Sequence, residues 1–152
     1  MDNVDILIVE DNRHDAELIL EALKGLDIRD NVRAIHDGAE ALDYFFGPEG
    51  SLMKAEVHLP KLLLLDLKLP KVSGLEILKR IKSDERTAHV PIVIFTSSSE
   101  SRDRIESYRL GANSYVVKPM DADMFSRYVH DVGEYWLLMN TTIYDGGPIW
   151  TR

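Results

Sequence analysis

The hydrophobic pattern of this chain changes period repeatedly. Ile6-Leu7-Ile8-Val9 is a short, continuous, β-branched run, the pattern of a strand buried on both faces. Ala16, Ile19, Leu20 and Leu23 then recur at helical spacing, and Gly25 is a natural stop. Residues 32–35 alternate through Arg33 and predict a strand nearer an edge, followed by a helix over 39–46. Leu62-Leu63-Leu64-Leu65 is the most apolar run and predicts a central strand. Leu75, Leu78 and Ile81 mark a third helix beginning near Gly74, and Ile92-Val93-Ile94-Phe95 a fourth strand. The helix expected over 99–109 is unusually polar, with Ile105, Tyr108 and Leu110 to bury, and Ser97-x-x-Glu100 reads as its capping box. Tyr115-Val116-Val117 predicts a fifth strand. The last helix carries Phe125, Tyr128, Val129, Val132, Trp136 and Met139, a long stripe at 3.6-residue spacing.

Strict alternation of strands and helices implies right-handed crossovers and a parallel sheet covered on both faces, an α/β doubly wound fold. One domain over residues 1–139 is expected, with a C-terminal tail over 140–152. Two segments stand outside the plan. Residues 47–61 form a long connection with Pro48, Gly50 and Pro60, and the tail combines Gly146, Gly147 and Pro148 with Tyr144, Ile149 and Trp150. The 152 residues, 45% hydrophobic and 29% charged, are enough for one substantial core. A formal net charge of −8 disfavours nucleic acid and anionic membrane as partners. The absence of cysteine excludes disulfides, thiolate metal sites and cysteine nucleophiles. The N-terminus enters a strand-like run at once, with no basic segment or long apolar stretch, so a cytoplasmic location is expected.

Open α/β sheets bind ligands outside the carboxyl ends of their strands. Here those ends read Glu10-Asp11, Asp66, Thr96-Ser97 and Lys118-Pro119. Three carboxylates, a hydroxyl and an ammonium therefore converge on one edge. Two like charges 4 Å apart repel by about 4 kcal/mol at an effective dielectric near 20, so the acids require a raised pKa or a bound cation. All-oxygen ligation suits Mg²⁺. An Asp between a metal and Lys118 is placed to attack a phosphoryl group, with an aspartyl phosphate at Asp66 as product.

Glu10-Asp11, Asp66 within Leu64-Leu65-Asp66-Leu67-Lys68-Leu69-Pro70, Gly74, Thr96-Ser97 and Lys118-Pro119 occur in the order found in receiver domains of two-component response regulators, which the chain resembles over residues 4–138. The length, the connection before the third strand and the lack of an output domain resemble the small stand-alone regulators that serve phytochrome-type histidine kinases. The resemblance implies a (βα)5 flavodoxin-like fold with strand order 2-1-3-4-5. It implies that Asp66 takes phosphate from a kinase phosphohistidine, with Mg²⁺ held by Asp11, by Glu10 mainly through water, by Asp66 and by the backbone carbonyl of Lys68. Lys118 is implied to bind the phosphoryl group or pair with Asp66, Thr96 to move toward it, Tyr115 to turn inward, and the Lys118–Pro119 peptide to be cis. The output is a changed surface on the fourth helix, fifth strand and fifth helix, read by a downstream protein. Lys68 is the one departure from the common pattern, a long cation two residues past Asp66.

Each residue also has a plainer reading. Glu10-Asp11 suits a helix N-terminus, Thr96 and Ser97 suit a helix cap, and Tyr115 suits a half-buried strand position. His14, His36, His58, His89 and His130 show no ligand spacing. The stripe on the last helix is mostly core, but Tyr135, Trp136 and Trp150 overhang it and suit a homodimer surface. An aspartyl-phosphate phosphatase of the haloacid dehalogenase kind needs a second Asp where Lys68 stands. A flavodoxin-like cofactor binder needs a small-residue phosphate loop where Glu10-Asp11-Asn12 stand. A phosphate-independent adaptor, binding through the last helix and tail, remains the alternative.

Overall fold

The computed structural model describes residues 4–26, 31–47 and 59–143. The expected tail beyond residue 143 and most of the 47–61 connection lie outside them. In chain order the elements are β1 (Ile6–Val9), α1 (Arg13–Lys24), β2 (Val32–Ile35), α2 (Gly38–Phe46), β3 (Leu62–Leu65), α3 (Gly74–Ser83), β4 (Ile92–Thr96), α4 (Ser101–Arg109), β5 (Ser114–Val117) and α5 (Ala122–Glu134). A π-helical turn, Tyr135–Met139, extends α5. The strands form one parallel sheet in the order β2-β1-β3-β4-β5, as expected.

The two-residue period of the strands divides the core. Leu7, Val9, Leu63, Leu65, Ile92 and Ile94 face one side and meet Phe45 of α2 and Ile77, Leu78 and Ile81 of α3. Ile6, Ile8, Leu62, Leu64, Val93 and Phe95 face the other and meet Ile19 and Leu23 of α1 and Phe125 and Val129 of α5. Each fully buried side chain of this size contributes about 1.5–3 kcal/mol. Central β1, β3 and β4 are buried throughout, while β2 and β5 at the edges are partly exposed.

Four helices begin with a side-chain cap. Asn12, Asp37, Ser73 and Asp121 accept from the amides of Asp15, Glu40, Glu76 and Met124 respectively. α4 differs from the sequence expectation. It begins at Ser101, its cap residue Glu100 makes no side-chain cap bond, and the Ser97–Glu100 capping box does not form. Alternation continued past Thr96 turns Ser97 outward and Ser98 inward. Ser98 therefore anchors this loop: its hydroxyl accepts from the Glu100 amide at 3.3 Å and donates to Asp103 Oδ2 at 2.5 Å. α4 buries only Ser107 completely.

Gly74 fixes the start of α3 against the end of β3. A Cβ there would lie 2.2 Å from the Asp66 carbonyl oxygen, and the Gly74 amide donates to the Leu67 carbonyl at 2.9 Å. Only a glycine lets the helix approach the strand end so closely.

Candidate functional site

Backbone ladder bonds run one residue beyond the strands and set the positions of the functional side chains. The Glu10 amide donates to the Ile35 carbonyl at 2.9 Å, the Asp66 amide to the Val9 carbonyl at 3.0 Å, and the Lys118 amide to the Thr96 carbonyl at 2.7 Å. Glu10, Asp66 and Thr96 are all buried, so the three central strand ends close over them.

The Lys118 ammonium occupies the centre. Its Nζ lies 2.5 Å from Glu10 Oε1, 2.9 Å from Asp15 Oδ2 and 3.0 Å from Asp66 Oδ2. An ammonium has three donors, and three carboxylates surround this one. The second carboxylate oxygens of Glu10 and Asp66 are also engaged: Glu10 Oε2 accepts from the Asn12 amide at 3.2 Å, and Asp66 Oδ1 from the Lys68 amide at 3.3 Å. Glu10, Asp11 and Asp66 each offer an oxygen, and these atoms lie within 4.8 Å of one another.

The acids outnumber the cation. Burial, then the charge of Asp66, pushes the Glu10 carboxyl up to about 7 despite its contact with Lys118. Burial alone would lower Lys118, but hydrogen bonds to Glu10 and Asp15 and the charge of Asp66 outweigh it and hold the ammonium well above the usual lysine range. Both directions express one fact: the site holds more negative charge than Lys118 neutralises. That donor set, all oxygen and still short of positive charge, fits a hard divalent cation such as Mg²⁺.

Thr96 is fully buried, and its Oγ1 accepts from the Ser98 amide at 3.3 Å. Tyr115 lies over the same loop, its hydroxyl donating to the Ser98 carbonyl at 2.9 Å. Burial raises its phenol pKa. Thr96, Ser98 and Tyr115 thus form one chain of contacts from the site to the start of α4. Lys68 is exposed, and its amide, not its side chain, touches Asp66.

The Lys118–Pro119 peptide is trans, correcting the cis bond expected from the resemblance, and no described peptide bond is cis. Trans is the ordinary ground state of X–Pro by about 0.5–1 kcal/mol, and the chain passes from β5 to the Asp121 cap of α5 without the alternative.

Two residues escaped the sequence reading. Asp15 is carried in by the first turn of α1 rather than by a strand end. Ser98 sits one residue past the serine expected to cap α4. Among the histidines, His36 bonds through Nδ1 to the Glu10 carbonyl at 2.9 Å. His130, which the sequence gave no ligand role, has ligand atoms within 4.8 Å of those of Asp131 and Glu134 on the outer surface of α5.

The family model of the response regulator receiver domain matches residues 6–130. The probable methanogenesis regulatory protein FilR2 of Methanothrix harundinacea is 40% identical over 135 residues, which are 89% of this chain and 84% of that protein. Response regulator Rcp1 of Synechocystis sp. is 34% identical over 132 residues, 87% of this chain and 88% of its own. The Mn²⁺-bound crystal structure of Rcp1 superposes with a TM-score of 0.80 at 33% identity, covering 90% of this chain and 96% of that one. The phosphorylated cyanobacterial phytochrome response regulator RcpA superposes with a TM-score of 0.81 at 33% identity, covering 93% and 99%.

Proposed function

The chain belongs to the response regulator receiver family, and from that premise we propose that it accepts a phosphoryl group on Asp66 from the phosphohistidine of a sensor histidine kinase. The observation that carries this reading is Lys118 Nζ, 3.0 Å from a buried Asp66 at the end of the central strand. In the transfer, an Asp66 carboxylate oxygen forms a bond to phosphorus. The phosphorus–nitrogen bond breaks, and its electron pair stays on the imidazole. Lys118 and the Thr96 hydroxyl are the groups that would bond the phosphoryl oxygens, and the Lys68 amide already orients the acceptor.

Glu10, Asp11, Asp66 and the Lys68 carbonyl would hold the Mg²⁺, which supplies positive charge to the phosphoryl oxygens when bound. The Mn²⁺ in the structure of Rcp1 supports that assignment. Phosphorylation is proposed to act through Thr96, Ser98 and Tyr115 on α4, whose single fully buried residue marks an element of low local stability. The output is then a changed α4–β5–α5 surface met by a downstream protein.

The likeness to RcpA, a phytochrome response regulator, supports a phytochrome-type kinase as the donor. Relatives covered over most of their own length support a stand-alone regulator. Exposed Tyr135, Leu138 and Met139 support a homodimer through the last helix. No helix among the described residues is long and apolar enough to cross a membrane. A cytoplasmic location belongs to the same proposal, and only self-directed phosphoryl chemistry is expected. The test is transfer from an autophosphorylated phytochrome-type kinase. Label should move to this chain and not to its Asp66→Asn variant, and retention of label on the kinase favours the phosphate-independent adaptor.

A further inference from the structure

Asp15 holds Lys118 but stands outside the metal-competent group. Its Oδ2 is 2.9 Å from Lys118 Nζ, as close as Asp66 is, yet the carboxylates whose oxygens gather within 4.8 Å are Glu10, Asp11 and Asp66. The other two partners of Lys118 are therefore the carboxylates that a cation would claim, and Asp15 is the one that it would leave. Asp15 is also well fixed, since its amide is bonded to the Asn12 cap at 2.9 Å in the first turn of α1.

The Lys118 side chain is only 8% exposed, so water cannot replace lost partners easily. A cation drawing Glu10 and Asp66 away would leave an under-satisfied buried ammonium. We propose that Asp15 is a positioning residue that retains Lys118 when a divalent cation takes Glu10 and Asp66, so that lysine and cation occupy the site together. The inference rests on the cation-dependent phosphoacceptor reading above. Without the charge of Asp15, Lys118 remains on Glu10 and Asp66, and the cation must compete with it.

The test is Mn²⁺ affinity of the full chain, measured by calorimetry or by the electron paramagnetic resonance signal of free Mn²⁺. Asp15→Asn removes the charge and keeps the shape, and Asp15→Ser serves if the first variant folds poorly. Glu17→Gln removes a charge from an exposed position on the same helix and controls for net charge. Asp15→Asn should weaken Mn²⁺ on the order of tenfold, the equivalent of about 1.4 kcal/mol, while Glu17→Gln changes it little. In a Lys118→Met background the Asp15 effect should shrink to that of Glu17→Gln. Equal affinities for parent and Asp15→Asn overturn the inference, and so does an undiminished Asp15 effect without Lys118, which would make Asp15 a direct electrostatic partner of the metal. A parent that binds no Mn²⁺ sinks the phosphoacceptor reading itself, and this inference with it.

Discussion

Lys118 Nζ and Asp66 Oδ2 face each other at 3.0 Å with both side chains 8% exposed. The pair ties the end of edge strand β5 to the end of central strand β3 across β4. Lys118 is the single cation contacting Glu10, Asp15 and Asp66 among the described residues. Breaking a buried pair by removing one partner costs about 3–5 kcal/mol, because the remaining charge is left uncompensated. Lys118→Met should therefore melt well below the parent in chelator. Mg²⁺ should raise its melting temperature more than it raises the parent's, since metal and lysine neutralise the same acids. Equal Mg²⁺ shifts in the two proteins would contradict this.

Glu10 gives the site a pH dependence. Its carboxyl ionises at about 7 in the metal-free fold against an ordinary value of 4.5, because of burial and the Asp66 charge. The fold therefore binds a proton that the unfolded chain has already lost, and the stability from protonated Glu10 disappears as pH rises through about 7. A divalent cation requires the ionised form. Mn²⁺ affinity should climb between about pH 5.5 and 7, with proton release, and flatten above. Glu10→Gln should bind more weakly with most of this pH dependence gone, as read by calorimetry in buffers of different ionisation enthalpy.

Gly74 is predicted to be intolerant of even one methyl group. The added Cβ would meet backbone, the Asp66 carbonyl oxygen at 2.2 Å and Leu67 Cα at 2.6 Å, and neither can move without shifting the loop that carries the acceptor. Gly74→Ala should lose at least about 1–3 kcal/mol and bind Mn²⁺ more weakly. Denaturant unfolding and Mn²⁺ titration check both, and a variant matching the parent in the two would mean that the loop is freer than its packing indicates.

Tyr115 separates loading from output. Tyr115→Phe removes a hydroxyl that bonds the Ser98 carbonyl and touches neither Asp66 nor Lys118. Phosphoryl loading should be unchanged. Loss of one hydrogen bond, worth about 0.5–1.5 kcal/mol, should raise hydrogen exchange in α4 before phosphorylation and blunt the change upon it. Unaltered α4 exchange in both states would remove Tyr115 from the proposed switch.

The acidic core of the site was legible in the sequence because a parallel sheet gathers its strand ends at one edge. Finding where Ile6–Val9, Leu62–Leu65 and Ser114–Val117 stop was enough to bring Glu10, Asp66 and Lys118 together. Asp15 was not legible by that logic. It reaches Lys118 through the turn of α1, across 103 residues of sequence, and it resembles any acidic residue favoured in a first helical turn. Ser98 was missed for a finer reason. Beyond a strand end, a shift of one residue exchanges inside for outside, and the capping pattern chose Ser97. The peptide before Pro119 turned on a difference smaller than sequence alone decides. The polar α4 was read correctly as having little to bury, but Ile105 and Tyr108, expected on its buried face, are exposed and Ser107 is buried instead. Its late start follows from the Ser98 anchor.

The central claim is that Asp66 is a phosphoacceptor, and intact mass spectrometry tests it most directly. The chain and its Asp66→Asn variant are incubated with Mg²⁺ and a small acyl-phosphate donor, alongside an established receiver. The account predicts a gain of one phosphoryl group, about 80 Da, on the parent alone, the mass of an acyl phosphate at the nucleophilic carboxylate. No gain under conditions that load the established receiver, or an equal gain on Asp66→Asn, would contradict it.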